Sequence, residues 1–321
     1  MGGWREVYGS VLQKILAEHN DLPICVVGCW SKGINYPMCE LDLLIFSPKD
    51  DDFERVIEGD LIVDIRYVDP QKITCRSESA LLLSLAECII FQDPDLRLAP
   101  LVNSLKSRAQ QIRRNLAASA LINALSYLGL GKRALKENYG MSGGFWLLAS
   151  GYSLLEALIW AAGDTPRPSH LMKQFRAYGS TYNQPVSSLL GLAEATTTTV
   201  KRRLDFLSRF YEAEAMGLLG RCKLEKLLPT LATRKVFSLL EANMVVDAYL
   251  YVGYLAVEAL KRFYKSEAES SLKTKPHKFV DEIEDRSILG KGVVKLASFT
   301  NIDRTTVQDV DRAITKLAQN I

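Results

Sequence analysis

Two stretches decide how this chain is read: Ile24-Cys25-Val26-Val27-Gly28-Cys29-Trp30-Ser31-Lys32-Gly33 and Glu40-Leu41-Asp42-Leu43-Leu44-Ile45-Phe46. Four apolar residues closed by a glycine predict a short buried strand, and the second stretch predicts another, ended by Ser47-Pro48. Side chains two apart on a strand leave the same face, so Glu40 and Asp42 present two carboxylates side by side. A third strand, Leu61 to Val68, carries Asp64 among Ile62, Val63 and Ile65, and a carboxylate in such surroundings needs a partner. Three convergent carboxylates repel one another, and a divalent cation relieves the repulsion; oxygen-only ligands point to Mg²⁺ or Mn²⁺. Gly28 and Gly33 permit tight turns whose backbone N–H groups face an anion, where Ser31 adds a hydroxyl and Lys32 a positive charge. Phosphate donors on one side and metal-binding acids on the other describe a nucleoside triphosphate site. Two cations about 4 Å apart there would activate an attacking oxygen and stabilise departing pyrophosphate.

Working outward, Trp4, Val7, Tyr8, Val11, Leu12, Ile15 and Leu16 recur at helical spacing, predicting a helix that ends near His19 to Asp21. A helix around Ser79–Leu85 and a strand over Cys88-Ile89-Ile90-Phe91 follow, before Asp93-Pro94. Beyond Leu96 the strand signals vanish. Leu105, Ala109, Ile112, Leu116, Ala120, Leu121, Ala124, Leu125 and Leu128 mark one long amphipathic helix with Lys106, Arg108, Arg113 and Arg114 outward, and helical stretches continue over 142–162, 169–178, 186–215, 220–228 and 232–264. A polar linker over 266–278 leads to a last helix at Thr305–Gln319. The expected class is α+β, with a mixed sheet and flanking helices in 1–100, an all-helical bundle in 101–265 for acceptor binding or dimerisation, and a linker with a small helical unit in 266–321.

Composition narrows the classes without selecting a function. Hydrophobic residues are 48% and charged residues 24%, which disfavours disordered, collagen-like and disulfide-scaffold chains. Forty basic against thirty-seven acidic side chains leave +3, too small a surplus to drive tight non-specific nucleic-acid binding. Cys25, Cys29, Cys39, Cys75, Cys88 and Cys222 match neither a zinc ribbon nor a redox pair and read as reduced thiols. Charges at Arg5, Glu6, Lys14 and Glu18 interrupt any signal-like stretch, and Glu6 stands where a myristoylation signal wants Ser or Thr, so a cytoplasmic location is expected. The greasy stretches 145–162 and 245–260 contain Glu156, Asp247 and Glu258 and read as bundle helices rather than membrane spans.

Gly28-Cys29, a gap of ten residues, Glu40-Leu41-Asp42-Leu43 and then Asp64 together resemble the signature of the DNA-polymerase-β-like nucleotidyltransferases, over about 100 residues. The layout that follows is similar to that of kanamycin nucleotidyltransferase and other minimal members, whose helical bundle helps form the acceptor site. The resemblance implies an enzyme that moves an NMP unit from an NTP onto an acceptor hydroxyl. In that reading Glu40, Asp42 and Asp64 hold the metals, Asp64 helps deprotonate the acceptor, and Gly28, Cys29, Ser31, Lys32 and Gly33 hold the β and γ phosphates. Two residues depart from the pattern: Cys29 replaces the usual Ser or Gly, and Glu40 replaces the usual Asp.

Other signals take plainer readings. Asp50-Asp51-Asp52 is a solvated loop, Asp69 beside Pro70 a turn residue, and Lys201-Arg202-Arg203 a solvated helix face. Glu156 reads as a structural hydrogen-bonding or helix-surface residue, with a general base for the acceptor hydroxyl as the alternative that the resemblance implies, and Tyr249, Tyr251, Tyr254, Phe263 and Tyr264 are packing residues. His19, His170 and His277 lack the spacing of zinc ligands or of a Ser/Cys–His pair. Besides the transferase, two readings stay open: a catalytically degenerate interaction or antitoxin-like protein that keeps the fold, and an RNA-terminal nucleotidyltransferase. The expected partners are a nucleoside triphosphate, an acceptor that is a small molecule, RNA or protein, and a second copy of the chain in a homodimer, with no membrane.

Overall fold

The structure is a computed structural model describing residues 3–36, 38–48, 52–73, 79–178, 183–219, 228–269, 275–287, 289, 292–297 and 304–319. Asp50, Asp51, Cys75 and Cys222 lie outside the described residues, as do most of the helix expected at 220–228 and much of the linker expected at 266–278. The chain is α+β and divides into two compact units, Met1–Arg113 and Arg114–Ile321.

The first unit begins with α1 (Gly3–Val7) and α2 (Gly9–Glu18), followed by β1 (Ile24–Val27), α3 (Gly28–Lys32), β2 (Leu41–Phe46), β3 (Phe53–Glu58), β4 (Leu61–Val68), α4 (Ser79–Ala86), β5 (Ile89–Gln92) and the start of α5 (Leu98–Lys136). The sheet order is β3-β4-β2-β1-β5, with β2 and β4 parallel and the other pairs antiparallel. Period-two alternation divides its faces. Leu41, Leu43, Ile45, Val63, Ile65 and Tyr67 enter a core with Ile24, Val26 and the apolar stripe Trp4, Tyr8, Val11, Leu12 and Ile15 of the first two helices. Asp42, Leu44, Asp64 and Arg66 occupy the alternate positions of the two central strands, and all four line one cleft. The Asp93 carboxylate accepts from the N–H groups of Leu98 and Ala99 and caps α5.

Strand β3 is absent from the sequence expectations. It is an edge strand, with Phe53 and Ile57 more than half exposed, and its charged residues hide the alternation of a half-buried strand. The two-residue loop Gly59-Asp60, with Gly59 at φ +60°, closes it onto β4 so that Glu58 opposes Leu61 and Arg55 opposes Asp64. The basic face expected on α5 also needs correction. Lys106, Arg108 and Arg114 are exposed, but Arg113 reaches Glu87, and Leu125 on the expected apolar stripe is exposed.

The second unit continues with the remainder of α5 and α6 (Gly140–Ala161), α7 (Leu171–Tyr178), α8 (Asn183–Leu190), α9 (Thr197–Ala215), α10 (Leu228–Glu241), α11 (Val245–Glu269), α12 (Phe279–Asp285), α13 (Val293–Leu296) and α14 (Arg304–Ala318). Left-handed residues divide two of the expected helices. Gly191 at φ +64° separates α8 from α9, and Asn243 at φ +58° separates α10 from α11, with the Met244 N–H reaching back to the Leu239 carbonyl. Thr196 and Thr199 form a reciprocal capping box at the start of α9. Among the described residues α6 is long and apolar enough to cross a membrane, and most of its apolar window is buried against the rest of the structure. Residues 276–285 pack on α6: Trp146 Nε1 donates to the Pro276 carbonyl at 2.7 Å, and the Ser142 hydroxyl accepts from the Val280 N–H at 3.0 Å.

Arg203, expected on a solvated face, is fully buried. Its guanidinium lies 3.8 Å from the centre of the Tyr249 ring and donates to the Tyr249 hydroxyl and to the carbonyls of Tyr249 and Ala297. Replacing Arg203 by Met keeps much of the stem volume but strands those acceptors. We expect the second unit to lose about 3 kcal/mol of stability, read as a lower denaturant midpoint, and an unchanged midpoint would refute this account.

Glu156 accepts from the Tyr254 hydroxyl at 3.2 Å, in keeping with a structural role. Burial, the dominant cause, raises its carboxyl above the ordinary range, against a smaller opposing pull from Lys261. The native state therefore binds this proton more tightly than the unfolded chain. The associated stability is present at low pH and is lost as pH rises through the native value. Glu156→Gln, which can still accept from Tyr254, should raise the thermal midpoint near neutral pH, and the gain should shrink toward pH about 4. A gain of the same size at both ends of a pH series of melts would contradict this.

Candidate active site

The sheet register brings the three acids together. Asp42 and Asp64 are Cα partners across the parallel β2–β4 pair, and Glu40 lies two residues before Asp42. One carboxylate oxygen from each of Glu40, Asp42 and Asp64 lies within 4.8 Å of the others. Like charges directly opposite one another destabilise a sheet, so the cluster calls for positive charge. An all-carboxylate donor set fits a hard divalent cation better than zinc.

The backbone just before Glu40 is anchored, and Asp42 and Asp64 each meet a close neighbour. The Cys39 carbonyl, immediately before Glu40, accepts from the Tyr8 hydroxyl at 2.9 Å and from Trp30 Nε1 at 3.2 Å, and the two rings meet edge to face. Burial and then the nearby Glu40 charge push the Tyr8 phenol well up, so it stays protonated as a donor. Asp42 is packed against Gly28. A Cβ built on Gly28 would stand 1.9 Å from Asp42 Oδ2, and Gly28 has φ +74°, so both space and backbone conformation require glycine. Asp64 is gripped by Arg55 from β3, whose Nε and terminal nitrogen donate to its two oxygens at 2.5 and 2.7 Å. Sequence reasoning passed over Arg55 because it lies on the strand it missed; the available signal was Gly59-Asp60 between two β-like stretches.

The segment expected to cradle phosphate is partly helical. Gly28 to Lys32 form one short turn of helix, closed by Gly33 at φ +67°. Gly28 lines the cleft. The Ser31 hydroxyl donates to the Gly28 carbonyl at 2.9 Å, and Lys32 pairs with Glu87 at 2.9 Å, a carboxylate it shares with Arg113. Cys29 points inward. A hydrogen bond with Cys39, followed by burial, raises its thiol far above the usual range, which keeps it neutral and unreactive.

Of the residues expected at the site, Gly28, Asp42 and Asp64 border a cleft of about 620 Å³, with Arg66, Leu81 and Ser84 also in its wall, whereas Glu40, Cys29, Ser31, Lys32 and Gly33 do not line it. The volume falls in the range of small-molecule sites. Arg66 brings a guanidinium to the cleft two residues along β4 from Asp64, on the same face. The arrangement joins a metal-binding type of donor set to a cation suited to anionic substrate. No model of a known protein family matches the chain, and no curated protein matches it.

Proposed function

We propose that the first unit is a nucleotidyltransferase that takes an NTP with Mg²⁺ or Mn²⁺ and transfers NMP to an acceptor hydroxyl. The observation that carries this reading is the convergence of Glu40, Asp42 and Asp64 within 4.8 Å beside a glycine that the Asp42 carboxylate itself requires. Glu40 and Asp42 hold the cation, with Asp64 completing the cluster. When bound, the cation neutralises charge on the phosphates and on the attacking oxygen. The acceptor oxygen forms a bond to the α-phosphorus, the bond from that phosphorus to the bridging oxygen breaks, and pyrophosphate leaves with the electron pair. The hydroxyl proton passes to a carboxylate oxygen of the cluster. Arg66, which lines the same cleft on the same face as Asp64, meets the triphosphate in this reading.

Incubation with α-labelled NTP and a panel of small-molecule, RNA and protein acceptors tests this. Label should reach an acceptor only with Mg²⁺ or Mn²⁺, and Asp42→Ala should stop it. A second reading, an interaction protein on the same fold, is favoured by Arg55 on Asp64 and Glu87 on Lys32, which already neutralise two of the expected site residues. Calorimetry separates the two: absence of heat at millimolar NTP with Mg²⁺ supports the interaction protein, and turnover excludes it.

A further inference from the structure

We infer that Phe53, on the edge strand β3, is the face on which the nucleobase of the substrate stacks, so that the cleft selects nucleoside triphosphates over triphosphate groups that carry no ring. The inference rests on the nucleotidyltransferase reading and specifies how that site recognises its substrate.

Strand register places the ring. Across β3, β4 and β2 one face of the sheet carries two adjacent rows, Arg55, Asp64 and Asp42 in the first and Phe53, Arg66 and Leu44 in the second. The first row holds two of the proposed metal-binding acids. The second sets a phenyl ring beside them, and Phe53 lines the same cleft as Gly28, Asp42 and Asp64. Neighbouring strands lie about 4.8 Å apart and same-face residues about 6.7 Å apart along a strand, which puts the Phe53 and Asp42 backbones about 12 Å from one another. An extended nucleoside triphosphate bridges that distance from its phosphates to its base. Gly28 follows β1 and Phe53 lies on the outer strand, so the glycine and the ring mark the two ends of the cleft across the sheet.

The ring is exposed yet braced. Phe53 is 51% exposed, so a ligand that covers it removes apolar surface from water. A single exposed apolar residue is ordinary, but among the described residues Phe53 is the aromatic side chain in the cleft wall. Ile57, equally exposed on the same strand, does not line the cleft. The Arg55 guanidinium carbon lies over the Phe53 ring, 5.2 Å from its centre, and both oxygens of Asp64 hold that guanidinium in turn. A ring already fixed on one side loses little further freedom when a planar ligand meets the other. Leu44 and Leu81 add apolar surface to the same wall. Every nucleobase has a π-face, so a platform of this kind recognises the class of ligand without reading a hydrogen-bond pattern.

The test separates base from phosphate. Titration calorimetry of the full chain with Mg²⁺ compares α,β-methylene ATP, which cannot release pyrophosphate, with inorganic tripolyphosphate, which carries no ring. Phe53→Ala should weaken binding of the nucleotide by about tenfold and leave tripolyphosphate within about twofold of wild type. Phe53→Trp should hold the nucleotide within about threefold of wild type, whereas Phe53→Leu, which keeps apolar bulk without a π-face, should resemble Phe53→Ala. Thermal melts of the three variants identify any that has not folded, and the remaining ones still decide the question. Equal affinity of the wild type for the two ligands, equal weakening of both by Phe53→Ala, or full nucleotide affinity in Phe53→Ala or Phe53→Leu would each overturn the inference while leaving the transferase reading in place. A wild-type chain that binds neither ligand at millimolar concentration would overturn both.

Discussion

Asp42→Ala is expected to lower NMP transfer by on the order of 10³-fold while leaving the chain at least as stable as the wild type. The two halves of that expectation have one cause. Asp42 lies opposite Asp64 in the sheet and within 4.8 Å of Glu40 and Asp64 at its carboxylate, so the side chain proposed to bind the cation also adds to like-charge repulsion within the cluster. Removing it deletes one of the two proposed metal-binding carboxylates and relieves the repulsion. The backbone of β2 should be undisturbed, because its register is set by Leu41, Leu43 and Ile45 on the opposite face, all essentially buried. Transfer assays with labelled NTP and thermal melts in metal-free buffer read the two effects separately. Activity within tenfold of wild type would defeat the assignment of Asp42. Lost activity accompanied by a much lower melting point would mean only that the unit had unfolded, and the melt excludes that case directly. The melting point should also become less sensitive to added Mg²⁺, since binding to the native state alone stabilises in proportion to occupancy.

Much of this site was legible before any coordinates, for definite reasons. β1, β2 and β4 are internal strands whose apolar residues must be buried, so Ile24 to Val27, Leu41 to Phe46 and Leu61 to Val68 stand out, and an acid interrupting such a strand is conspicuous. Period two then places Glu40 and Asp42 on one face. What a single strand cannot reveal is register, and the Asp42–Asp64 pairing depends on the parallel alignment of β2 with β4. Side-chain partners distant in sequence were hidden for the same reason. Lys32 read as a phosphate ligand because nothing nearby announces Glu87, fifty-five residues away, as its partner. Arg203 read as exposed because Lys201 and Arg202 flank it, although only its position on the helix turns it inward onto Tyr249. The breaks at Gly191 and Asn243 were masked by apolar periodicity that continues on both sides of each left-handed residue. β3 was overlooked because an edge strand needs little apolar surface, and Arg55 was overlooked with it.

Gly28→Ala should cost both stability and activity, and the way the two losses couple to Asp42 distinguishes a contact from a general weakening. The added Cβ would lie 1.9 Å from Asp42 Oδ2 and 2.9 Å from its Cγ, well inside van der Waals contact, and the backbone at φ +74° disfavours any L side chain by about 1–2 kcal/mol. To relieve the clash the carboxylate must swing away from Glu40 and Asp64, and a displacement of about 1 Å in such a group can cost on the order of 10²-fold in rate. We therefore expect Gly28→Ala to lose about 2–3 kcal/mol of stability and roughly a hundredfold of transfer activity. In an Asp42→Ala background the clashing oxygen and Cγ are gone, and the nearest remaining Asp42 atom to the new methyl is Cβ at 3.2 Å. There the stability cost of Gly28→Ala should fall to the backbone share alone, about 1–2 kcal/mol, giving a double-mutant coupling of about 1 kcal/mol. Equal costs in the two backgrounds would mean that the methyl never meets the carboxylate, and the packing of Gly28 against Asp42 would no longer explain why a glycine ends β1.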